Sequence, residues 1–120
     1  MIQKHIINAY ITLSHLGGIQ MPVRCAYQLY QLRRKLEASY QFCAEQERRI
    51  IEKYHGVVQN GMVTFTDEEA AASAQDALRE VNEMTVEIEF EPVTIKLDDM
   101  QSGSISMDDI ANLDGFVVFA

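Results

Sequence analysis

Any chemistry in this chain would have to come from two cysteines, three histidines and a few clusters of charge. Cys25 and Cys43 stand 18 positions apart. On one continuous helix they share a face, about 27 Å apart at 1.5 Å per residue. They can then share neither a disulfide nor a zinc ion within one chain, because both need atoms within a few ångströms. Small buried apolar side chains are the simpler reading, with a symmetric disulfide between copies as the alternative. His5, His15 and His55 show no metal-ligand spacing. His15 and His55 fall near the ends of candidate helices, where the partial negative charge favours imidazolium. A Cys/His nucleophile pair would need a third group to orient it, and none is evident.

Glu87, Glu89 and Glu91 project from one face of a candidate strand, about 7 Å apart. Carboxylates at that spacing could hold a divalent cation or act as acid and base. A solvated strand face is the plainer account, and Asp98, Asp99, Asp108, Asp109 and Asp114 follow closely. An acidic docking surface built on Glu87, Glu89, Glu91, Asp98 and Asp99 is therefore favoured over catalysis. Arg33-Arg34-Lys35 and Arg48-Arg49 could touch phosphates, but no nucleic-acid recognition motif accompanies them, and nucleic acid is not favoured as a partner. No glycine-rich phosphate loop, Gly-x-Ser-x-Gly elbow or Cys-x-x-Cys motif occurs. No catalytic residue, cofactor or metal is expected.

The 120 residues are 48% hydrophobic and 23% charged, which suits one folded domain spanning 1–120. No apolar run is long enough to cross a membrane, and no signal-peptide pattern opens the chain. Two cysteines do not make a disulfide scaffold, so a reducing, cytoplasmic compartment is expected. The net charge of −8 hides a division. Residues 1–60 hold eight bases and four acids, a net +4; residues 61–120 hold fourteen acids and two bases, a net −12. Such halves attract each other, within one molecule or between copies.

The elements that must position these groups follow from periodicity. Ile2, Ile6, Ala9, Leu13 and Leu16 recur at helical spacing and predict a helix over 3–16. Gly17-Gly18 ends it, since glycine accepts the left-handed conformation. Pro22 suits a helix's first turn, and no Gly or Pro follows until Gly56, so one long helix is expected over 22–54. Leu29, Leu36, Cys43 and Ile50 fall every seven residues, flanked by Leu32 and Tyr40. They form a coiled-coil-like seam that demands a partner helix. His55-Gly56 supplies the stop. Asn60-Gly61 predicts a hairpin with strands over 57–59 and 62–65.

Thr66 and Glu69 read as a capping box for a helix over 67–84, with Ala70, Ala74, Ala77, Val81 and Met84 on one face. The long helix, the turn and this helix predict an antiparallel helical pair. Beyond Thr85 the period changes to two, predicting strands over 85–91 and 93–97 with a phase shift at Pro92. Ser102-Gly103-Ser104 reads as a loop. Ser106 caps a short helix over 107–113 through Asp109, with Ile110 and Leu113 inward. Asp114-Gly115 turns into an apolar end, Phe116-Val117-Val118-Phe119, expected to be docked. The fold class is α+β, mostly α: a long antiparallel helical hairpin, an N-terminal helix and a small C-terminal β element.

The order of these elements resembles a group of short, uncharacterised proteins encoded in tailed-phage and prophage genomes. The pattern comprises Leu13 and Leu16, Met21-Pro22-Val23 into Tyr27 and Leu29, then Leu36-Glu37 and Ile51-Glu52-Lys53-Tyr54. It continues with the Asn-Gly turn, Thr66-Asp67-Glu68-Glu69, Val86-Glu87-Ile88, Ile95-Lys96-Leu97-Asp98-Asp99 and Ser106-Met107-Asp108-Asp109-Ile110. Cys43 and Glu91-Pro92 depart from it. The resemblance implies phage origin and an infected bacterial host, and it carries no catalytic residues.

The function expected from all this is a non-enzymatic interaction protein. It would bind a protein partner or itself through the seam (Leu29, Leu32, Leu36, Tyr40, Cys43, Ile50) and the acidic C-terminal half. An acidic mimic of nucleic acid that occupies a site on a host protein is the first alternative. A small metal-dependent hydrolase using Glu87 and Glu89 is the second.

Overall fold

The computed structural model describes residues 1–100 and 105–120. The Ser102-Gly103-Ser104 loop expected from the sequence lies outside the described residues. Two helices open the chain, α1 (Gln3–Leu16) and α2 (Val23–Lys53). A hairpin of β1 (Val57–Gln59) and β2 (Met62–Thr64) follows, then α3 (Glu68–Glu83). The C-terminal part holds β3 (Val93–Ile95), a 3-10 turn (Leu97–Asp99), α4 (Met107–Asn112) and β4 (Val117–Phe119). The architecture is mostly α with small strands, as the sequence predicts.

Thirty-one residues make α2 about 46 Å long, and the molecule extends 52 × 31 × 19 Å. Its radius of gyration is 17.0 Å, against about 14 Å for a compact chain of this length. Two shorter helices share the job of covering α2. The hairpin turns α3 back along the C-terminal half of α2, and Met84 at its end accepts a bond from the Gln3 N–H at 2.8 Å. There α1 takes over. Its Gln3 side chain donates to the Ser39 carbonyl at 3.1 Å, Tyr10 stacks on Tyr40, and its far end meets Leu29.

The core sits in one half of the molecule. Ile6, Ala9, Leu13 and Leu16 of α1 meet Leu29, Leu32 and Leu36 of α2, beneath Val93, Ile95, Leu113, Phe116 and Val117. Between Tyr40 and Met84 the only fully buried apolar side chains among the described residues are Cys43 and Ala74. Phe116 ties the C-terminal layer down: its ring stacks on His5 at 5.4 Å and on Phe90 at 5.0 Å. Asn112 adds a bond from α4 to the Thr12 hydroxyl.

Several local expectations are corrected. Gly17 closes α1 in right-handed geometry (φ −59°), and neither it nor Gly18 is left-handed. Pro22 occupies the N-cap of α2, one position before its first turn. At the other end of α2 the left-handed residue is His55 (φ 57°). Its N–H reaches the Glu52 carbonyl and the Gly56 N–H reaches Ile51, the two bonds of a Schellman cap. Gly56 serves a different need, because a Cβ there would lie 2.9 Å from the Phe65 ring and 3.1 Å from Val63. Replacing His55 by glycine should therefore stabilise the chain by about 1 kcal/mol, read as a higher urea midpoint at unchanged slope.

The cap of α3 is Asp67, whose carboxylate accepts from the Ala70 N–H at 2.6 Å; Thr66 does not cap it. Met84 ends that helix exposed, as does Ile110 on α4, whereas Leu113 is buried. The capping box of Ser106 and Asp109 is present in both directions. Segment 85–91 keeps the expected alternation, with Val86, Ile88 and Phe90 against the core and the glutamates outward. It forms no strand: its backbone pairing among the described residues is the Ile2–Thr85 bridge and a bond from the Val86 N–H to the Met1 carbonyl at 2.7 Å. The expected strand over 93–97 stops at Ile95, where the 3-10 turn begins. Its partner is β4, paired in parallel with Ile95 opposite Phe119.

Candidate interaction surface

The seam residues are placed mainly by α1. Leu29, Leu32, Leu36 and Cys43 are buried inside the chain, while Tyr40 and Ile50 are half-buried. A surface for an outside partner built on the four buried residues is thus corrected. Their heptad spacing is satisfied by α1 and α3 of the same molecule, which together supply the missing partner helix. Cys43 and Cys25 are free thiols. Burial pushes both above the ordinary thiol range; the Asp99 charge adds to the effect on Cys25, whereas Gln3 opposes it at Cys43. Protonated thiols are poor nucleophiles and poor ligands.

Glu87, Glu89, Glu91, Asp98 and Asp99 are all exposed. Among the described residues none of them forms an ion pair with the basic half. The ion pairs among the described residues join neighbours on one helix: Arg48 with Glu45 and Glu52, Arg49 with Glu45, and Arg79 with Asp76. Hydrogen bonds from Arg48, and then Arg49, hold the Glu45 carboxyl below its usual range. All these pairs are solvent-exposed, so each contributes little to stability. Among the described residues no three His, Cys, Asp or Glu side chains converge to hold a metal ion.

Two apolar features emerge that the sequence reading did not single out as sites. The first is the hairpin tip, where Val57, Val58, Met62 and Val63 are exposed, with Phe42 exposed farther back on α2. From Gly56 to Thr66 the chain carries no charge at all. Among the described residues no further strand pairs with either edge of this two-stranded sheet, and natural edges are normally guarded by charge, proline or a covering element. The signal was present in the sequence as a neutral, valine-rich segment flanking Asn60-Gly61. The second is a cavity of about 220 Å³ where α1 ends against α2, with Leu13, Leu16, Met21 and Leu29 lining it. Tyr30 and Arg33 stand at its rim, the guanidinium 5.8 Å from the ring centre. Tyr27 and Tyr30 are both exposed and stacked; tyrosine and arginine are the residues most enriched at interface hot spots.

Compared with protein-family models, curated proteins and solved structures, the chain matches none. No helix among the described residues is long and apolar enough to cross a membrane. The functional reading therefore rests on the surface itself.

Proposed function

We propose that the chain is a non-enzymatic interaction protein, of the phage type that its sequence pattern resembles, and that it self-associates through its hairpin tip. One observation carries this reading. The core ends near Cys43, and beyond it an arm of α2, α3 and the hairpin leaves four large apolar side chains in water. An isolated two-stranded hairpin is marginal in water and gains from added strands or a covering face. In a molecule of net charge −8, the uncharged tip is also where two copies meet with least repulsion.

Light scattering at low and high salt tests it. The expected result is a species larger than the monomer that survives high salt, because apolar contact is not screened. Val58→Glu with Met62→Glu should return it to monomer while leaving the circular dichroism spectrum unchanged, since both positions are exposed in the single chain. A wild-type monomer at high concentration, or a double variant that assembles normally, would overturn the proposal.

The nucleic-acid mimic remains a second reading, supported by the alternate exposed carboxylates of Glu87, Glu89 and Glu91. Its mark would be binding to a basic host protein that weakens steeply as salt is raised.

A further inference from the structure

The backbone bonds of β3 show which of its edges is in use. Val93 donates to the Phe116 carbonyl at 3.0 Å, Ala120 donates to Ile95 at 2.9 Å, and Leu97 donates to Ala120 at 2.7 Å. In a parallel ladder, alternate residues turn their amide groups to the same neighbour. Val93, Ile95 and Leu97 thus face β4, and the N–H groups of Thr94 and Lys96 face the other way. Neither N–H has a partner among the described residues, and the Thr94 carbonyl is likewise unpaired. Val93 and Ile95 are buried, so the strand is anchored to the core while this outer edge has no partner among the described residues.

The open edge borders a groove. A polar cleft of about 640 Å³ runs between β3 with its approach from Phe90 and the flank of α2 that carries Gln28, Gln31 and Lys35. Two glutamine amides on the facing wall can each donate and accept, as a peptide backbone requires. The cleft is lined by two cations, Lys35 and Lys96, against one anion, Glu91. That balance is the reverse of the chain as a whole, whose net charge is −8.

These features select an occupant. Only an extended chain repeats its donors and acceptors at the roughly 7 Å spacing of alternate strand residues. A helix would leave the free N–H groups of Thr94 and Lys96 unpaired. The two lysines favour carboxylates on that chain and disfavour basic segments. We propose that the outer edge of β3 and the facing side of α2 form a site for an extended acidic peptide segment of a partner protein, bound by strand addition. The site is separate from the hairpin tip and stands whether or not the tip mediates self-association.

The test uses the full chain labelled with 15N and two capped seven-residue peptides, one alternating Val with Glu and the other Val with Lys. With the Val-Glu peptide, the Thr94 and Lys96 amide signals should shift and exchange more slowly with solvent. The Val-Lys peptide should leave them in place. Thr94→Pro removes an N–H that the β4 ladder does not use, and proline is tolerated at such an edge position. This variant should keep the fold and lose peptide binding. Lys35→Glu or Lys96→Glu should each weaken binding by about fivefold, which tests the same site should the proline variant fail to fold. The proposal is overturned if those amides do not move at millimolar peptide, or if the Val-Lys peptide moves them equally. Undiminished binding by a folded Thr94→Pro chain would also overturn it.

Discussion

Truncating Phe116 to alanine should lower the free energy of unfolding by about 3–5 kcal/mol. The ring is fully buried and joins three parts of the chain that are distant in sequence. It stacks on His5 of α1 and on Phe90 of the segment leading into β3, and the backbone carbonyl beside it accepts the Val93 N–H. Removing it leaves a cavity bounded by a helix, an irregular segment and a two-stranded sheet. The ladder of that sheet is short, since each of its strands has three residues, so it is held by buried side chains: Phe116 together with Val93, Ile95 and Val117. In a chain of this length the loss corresponds to roughly 12–20 °C in Tm. Urea titration followed by circular dichroism measures it directly. Phe116→Leu, which keeps most of the buried volume, should recover more than half of the loss. A change below about 1 kcal/mol for the alanine variant would mean that the C-terminal layer is not docked on α1 as described.

Much of this fold can be read from side-chain periodicity, and what cannot be read is mostly a matter of partners. Ile6, Ala9, Leu13 and Leu16 keep one helical face and are buried. The absence of Gly and Pro between Pro22 and Gly56 predicts the length of α2 to within a residue or so at each end. Asn60 and Gly61, both at positive φ, form the expected turn. Alternation along 85–91 correctly assigns Val86, Ile88 and Phe90 to the core side. It cannot say whether a neighbouring backbone runs alongside, and among the described residues the pairing with the N-terminus ends at Val86.

The parallel pairing of β3 with β4 is invisible for a related reason. Three-residue strands carry no register signal, and more than twenty residues separate them in the chain. At the end of α2, the glycine beside His55 attracts the left-handed assignment by propensity, yet close packing of Phe65 and Val63 decides Gly56. The acidic residues were legible because solvated charge needs no tertiary information. The groove beside β3 was not, because what defines it is which backbone N–H groups the ladder leaves unused.

The heptad seam of α2 gives the second large prediction, and it separates an internal core from an interface. Leu36 has no solvent exposure and lies where α1 crosses the middle of the long helix. Leu36→Ala should cost about 2–5 kcal/mol, the range for a buried leucine that leaves a partly collapsed cavity. Because α1 belongs to the same molecule, that cost should be the same at low and high protein concentration. Were the seam an interface between copies, the apparent stability of the wild type would rise with concentration and the variant would lose that dependence. The hairpin tip should behave in the opposite way. Val58 is 59% exposed and Met62 69% exposed, so their replacement removes little from the single chain and acts only through mass action on the assembly. Measuring urea midpoints for both variants across a hundredfold range of concentration therefore assigns each apolar surface separately. A concentration-independent loss at Leu36 places the seam inside the fold. A concentration dependence that vanishes with the tip variant places the interface at the end of the arm.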